Sequence, residues 1–149
     1  MPWLSLVAVV AVVFVAWSLF RHFGSNRIDA LNEKRRPTSR LVGRGVLVDG
    51  NRHVEVALAV THSTLFYENS GMEASIDLQW VREIEYDSEL VTGSVPADGR
   101  VLRIRTQSQT FEFVIPKDFI ARWHLMLPPR RVVTAAAAPV LEPQVAAAT

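Results

Sequence analysis

The chain has no cysteine among its 149 residues. Disulfides, thiolate catalysis and zinc–thiolate sites are excluded at once. Its histidines are His22, His53, His62 and His124, none at the spacing of a metal-ligand pair, and no H-E-x-x-H occurs. Ser63 follows His62, but there is no G-x-S-x-G elbow and no acid placed to orient the imidazole, so the pair reads as a polar turn. A glycine-rich phosphate loop is also missing, since Gly43-x-Gly45 is too short and precedes a strand rather than a helix. Sixteen Lys and Arg against fifteen Asp and Glu leave a net charge of +1, too little field to favour nucleic acid. No internal repeat is present. These absences point away from an enzyme, a cofactor and a metal, and toward binding.

Charge is also missing, locally, from Pro2 to Phe20, whose only polar side chains are Ser5 and Ser18. Nineteen residues at ~1.5 Å each would make a helix of about 28 Å, close to the hydrocarbon thickness of a bilayer. Trp3 and Trp17 stand near its ends, where indole rings favour a membrane interface. No basic n-region precedes the run, which argues against a cleaved signal peptide. The pattern predicts a transmembrane anchor at residues 1–20. Arg21, Arg27, Lys34, Arg35 and Arg36 follow it, so the positive-inside rule predicts a single-pass protein of the cell membrane, N-terminus outside and C-terminal domain cytoplasmic. Residues 21–40 then read as a basic juxtamembrane linker, with a short helix around Ile28 and Leu31 stopped by Pro37.

From Leu41 the apolar period changes to two. Val46 to Val48, Asp49-Gly50 and Arg52 to Thr61 predict a hairpin with a type I′ turn. Short strands follow at Thr64–Glu68, Ala74–Leu78, Glu83–Asp87, Arg100–Thr106 and Thr110–Ile115, with a helical turn or bulge between the second and third of these. Residues 88–99 read as a loop with a short strand at Leu90 to Thr92. Pro116 and Asp118 open a helix whose stripe is Phe119, Ile120, Trp123 and Leu127, ended by Pro128-Pro129. The expected core is Val56, Leu58, Val60, Leu65, Ile76, Leu78, Ile84, Leu102, Ile104, Phe111, Phe113, Phe119 and Trp123. Trp80 flanks these positions. Residues 131–149, rich in alanine and proline with Glu142 as the one charge after Arg131, read as a disordered tail.

The run Ala57 to Ser88 (ALAVTHSTLFYENSGMEASIDLQWVREIEYDS), then RVLRIRTQSQTFEFVIP and KDFIARWHLML, resembles a bacterial pleckstrin-homology-like or GRAM-like domain. The likeness rests on Val-Thr…Leu-Phe-Tyr, on Leu-x-x-Val-x-x-Ile, and on a late hairpin entering a helix with Trp123. It implies a mainly β fold over residues 41–130: a small pleckstrin-homology-like barrel of six or seven strands capped by one C-terminal α-helix, behind the N-terminal transmembrane helix. It also implies binding or scaffolding more often than catalysis. Phosphoinositide-binding members carry a spaced Lys and Arg-x-Arg pattern around the first hairpin; here that hairpin offers Arg44 and Arg52, followed by His53-Val54.

The function expected from these readings is a non-enzymatic protein-interaction adaptor at the inner membrane face, with a membrane-associated protein as partner. The alternative is a sensor of anionic lipid headgroups, for which Arg44, Arg52, Arg103 and Arg105 are the candidate contacts. No cofactor, metal or nucleic acid is expected. Asp77, Glu83, Glu85 and Asp87 read as a solvated acidic face.

Overall fold

Alternating side chains and a two-residue turn pair β1 (Leu41–Asp49) with β2 (Arg52–Val60), residue for residue from Leu41↔Val60 to Asp49↔Arg52. The computed structural model describes residues 12–14 and 27–132. The turn itself is Gly50-Asn51. Gly50 has φ 57°, while no non-glycine residue among those described has positive φ. Positive φ at the first central position alone is the type II′ pattern, not the expected type I′.

The meander continues through β3 (Thr64–Glu68) and β4 (Glu73–Asp77). Asp77 then accepts from the Gln79 backbone N–H at 3.0 Å and starts a 3₁₀ turn, Leu78–Trp80. Next come β5 (Glu83–Asp87), a loop over residues 88–98, β6 (Gly99–Arg105) and β7 (Thr110–Pro116). A 3₁₀ turn, Lys117–Phe119, leads into helix α2 (Ile120–Met126), and β8 (Arg130–Arg131) closes the described chain. Ahead of β1, residues 27–35 form helix α1, stopped at Pro37 by the 3₁₀ turn Arg36–Thr38.

The strands form one antiparallel sheet in the order β4-β3-β2-β1-β7-β6-β5-β8. This corrects the closed barrel expected from sequence. Closure would require β4 to meet the far end of the sheet. There the free side of β5 is taken by β8, with Glu83 opposite Arg131 and Ile84 opposite Arg130. The two-residue β8 also adds an eighth strand that no periodicity announced.

The single-pass anchor and the cell-membrane localisation are corrected as well. Among the described residues no helix is long and apolar enough to cross a membrane. Apart from residues 12–14, the expected span at 1–20 lies outside the described residues, as do Arg21 and residues 133–149 of the expected tail.

One face of the sheet carries the core. Val56, Leu58, Val60, Leu65, Ile104, Leu102, Phe113 and Ile115 are buried there with Trp123 of α2. Leu78 and Phe111 pack against this cluster only half buried. Phe119 is 41% exposed, because it ends a 3₁₀ turn and its three-residue period rotates it off the helical stripe. Gly45 fits where β1 passes close to its neighbours: a Cβ there would meet Leu58 Cδ1 at 2.5 Å.

Candidate binding cleft

The opposite face of the sheet is covered in two places, and the gap between the covers is the cleft. The first cover is α1. Asp29 pairs with Arg44 on β1, Nε donating to Oδ1 at 2.9 Å. Two turns later Arg35 pairs with Glu68 on β3 and, at 2.8 Å, with Glu73 on β4, while its guanidinium lies 4.1 Å from the Phe66 ring centre. Arg44, Ala57 and Glu68 are direct neighbours across β1, β2 and β3. The helix thus bridges a row whose middle residue is alanine, and Ala57 and Ala59 are buried to 4% and 2% exposure. Small side chains let a helix approach a sheet closely. Ile28 and Asn32, one turn apart, are buried on the same helix face.

The second cover is the 88–98 loop. Its Leu90 is buried against Val48, Val101 and Val114 from three strands. Its backbone is held by charge. Arg103 is buried on the outer face of β6 and donates from Nε to Glu112 Oε1 (3.0 Å), from Nη1 to Asp87 Oδ2 (2.9 Å) and from Nη2 to the Glu89 carbonyl (3.0 Å). Glu112 Oε1 in turn accepts from the Val91 backbone N–H at 2.9 Å. Gly93, at φ 81°, turns the loop tip, its N–H donating to the Leu90 carbonyl.

Between the covers lies a cleft of about 430 Å³. Val46 and Val114, direct cross-strand partners, form its floor. Ile28 of α1 stands on one side, and Val95, Pro96 and Ala97 of the loop on the other. Polar groups, Arg44, His53, Glu55 and Asp98, line the same site. Val95 is 65% exposed, a large apolar side chain held in solvent at the cleft wall. A second, shallower groove lies between β4 and the β6–β7 turn, beside Trp80, which is 59% exposed.

The structure separates the four candidate anion contacts. Arg44 is on the cleft wall and engaged by Asp29; that hydrogen bond raises its pKa against the opposing effect of burial, and Glu55 adds to the rise. Arg52 is exposed beside the hairpin turn. Arg103 is the buried loop clamp just described. Arg105 reaches Glu83 at 3.0 Å and Glu85 at 3.6 Å. Three of the four are therefore committed to carboxylates of the fold, and only Arg103 and Arg105 share one, Glu85. Among the basic residues expected beside a membrane, Arg27 and Lys34 are exposed on α1, Arg35 is clamped to Glu68 and Glu73, and Arg36 pairs with Glu33 at 3.3 Å.

The acidic residues are likewise not a solvated face. Asp77 caps a turn, Glu83 is buried between Arg105 and Arg131, and Glu85 and Asp87 face Arg103. Among the described residues no group of three or more His, Asp or Glu is placed to hold a metal ion. Local sequence pattern does not reveal the cleft, because both of its covers have the composition of connecting segments. Two signals were present: the Ile28, Asn32, Arg35 spacing of an inward helix face, and the apolar Leu90, Val91 and Val95 in the loop.

Hydrogen bonds from Arg103 and from the Ser88 and Glu89 backbone N–H groups hold the Asp87 carboxyl below its ordinary value near 3.8. The hydrogen bond from Arg44 does the same for Asp29. A carboxyl with a depressed folded-state pKa stabilises the fold above its ordinary pKa and ceases to as pH falls through the folded value. Thermal unfolding should accordingly be insensitive to pH from neutrality down to about 5 and should shift to lower temperature below about 4. The protection factor of the Ser88 backbone N–H, which donates to the Asp87 carboxyl, should fall in the same acidic range. A melting temperature that climbs below pH 4 would contradict this.

Comparison with family models, with curated proteins and with solved structures found no match to this chain.

Proposed function

We propose that this chain is a non-enzymatic binding module that recognises a segment of another protein at the cleft between α1 and the 88–98 loop. The observation that carries this reading is the cleft's make-up: a mostly aliphatic lining from Ile28, Val46, Val114 and Val95 to Ala97, with Arg44, His53, Glu55 and Asp98 beside it. An apolar centre with a polar rim is the anatomy of protein interfaces. The resemblance to pleckstrin-homology-like domains belongs to the same proposal, and agrees with a recognition role built on an antiparallel meander and a late amphipathic helix. The anionic-headgroup alternative draws less support, because Arg44, Arg103 and Arg105 are already paired within the fold.

The test is site-specific photocrosslinking in the full chain, in its own cells, with a benzophenone amino acid replacing Val95 at the cleft wall or Arg52 at the hairpin turn. Discrete polypeptide adducts from position 95, and few from position 52, are the expected result. Adducts to phospholipid alone, strongest from position 52, would reverse the preference.

A further inference from the structure

We infer that the segment taken by this cleft is amphipathic and cationic, an apolar stripe flanked by Lys or Arg. The inference rests on the protein-binding reading above and specifies the partner's chemistry. Glu55 lies directly across from the floor residue Val46 in the β1–β2 ladder. Directly opposed residues are near enough for their side chains to meet one ligand. A segment that seats an apolar side chain on Val46 and Val114 therefore carries its next polar side chain past the Glu55 carboxylate. Asp98, exposed on the loop side, faces the same space.

The cations around the cleft do not cancel these two carboxylates. Arg44 donates to Asp29 through two hydrogen bonds, and the nearby Glu55 charge further favours its ionised form. Lys117 reaches the Ala97 carbonyl at 3.4 Å, on the loop that forms the wall. Among the described residues that line the cleft, the carboxylates of Glu55 and Asp98 stand against the one guanidinium of Arg44. Complementary charge at a rim governs which partners are accepted and how fast they arrive, while the apolar centre holds them.

The test uses the full-length chain and two synthetic helical peptides of one length, identical in their Leu positions, with Lys at every polar position in one and Glu in the other. Affinities are read by fluorescence anisotropy at low and high salt. The Lys peptide should bind about tenfold more tightly than the Glu peptide, and the preference should shrink at high salt. It should collapse in the double variant Glu55→Gln, Asp98→Asn, whose positions are exposed and whose folding is checked by circular dichroism. Val95→Gln, a neutral change at an exposed wall residue, should weaken both peptides.

Equal binding of the two peptides, both weakened by Val95→Gln, would overturn the cationic inference and leave the protein-binding reading standing. A Lys preference that survives the double variant, or a Glu preference, would also overturn the inference. Binding indifferent to Val95→Gln, or no binding, would overturn both.

Discussion

Arg103→Ala should destabilise the fold by about 3–5 kcal/mol, the usual cost of removing one partner from a buried ion pair. The Arg103 side chain is 8% exposed and Glu112 is 10% exposed. Truncation leaves the Glu112 carboxylate inside the protein with only the Val91 N–H as a donor. Burial alone would disfavour the charge on Arg103, yet hydrogen bonds with Asp87 and Glu112 outweigh it and raise the guanidinium's pKa. The variant should therefore show a second effect: the 88–98 loop, which loses the bond to the Glu89 carbonyl, should exchange its amides faster than the rest of the sheet. Arg103→Met combined with Glu112→Gln should be milder than Arg103→Ala alone. It removes both charges, keeps most of the volume and leaves an acceptor for Val91. Urea titration of the three proteins measures the order, and equal stability of Arg103→Ala and the parent would place Arg103 in solvent.

Trp123→Ala should also cost about 3–5 kcal/mol, as a large-to-small change in a filled core. Trp123 is fully buried, and its indole lies over Gly43 of β1, where an added Cβ would come within 3.4 Å of Nε1. It is the one buried residue of α2 itself, so its loss unseats the helix from the sheet. Trp123→Phe should be much less damaging than its volume change suggests. Nε1 is buried with no hydrogen-bond partner, and phenylalanine removes that bare donor, whose desolvation costs about 1–3 kcal/mol. Beyond the helix, the Tyr86 hydroxyl donates to the Leu127 carbonyl at 2.8 Å. Chemical denaturation of the two variants tests the pair. A loss under about 1 kcal/mol for Trp123→Ala would show that α2 does not seal the core.

What could be read in the sequence, and what could not, divides at the range of the interaction. The strand Glu83–Asp87 has the bounds that alternation predicts, and so does Thr64–Glu68 between its turns. The core positions from Val56 to Val60 follow the same period of two. Arg103 is the counter-example. Its outward parity on β6 is what alternation predicts, and exposure was the natural expectation, but the 88–98 loop folds over that face and buries it. The same loop makes one wall of the cleft, and α1, taken as a linker, makes the other.

The sequence alone determined most of the antiparallel strands, where the chain turns between them, and the helical stripe of Ile120, Trp123 and Leu127, because alternation and helical period act within a few residues. The open sheet, the β8 edge and the cleft were decided by tertiary structure. Val48, Glu112, Arg103 and Glu85 form one row across four strands. Nothing local to any of them says which carboxylate an arginine will meet. Desolvation then settles each case: a charge covered by a loop keeps its ionised form through hydrogen bonds to fixed partners, and the same residue left in water would be an ordinary surface cation.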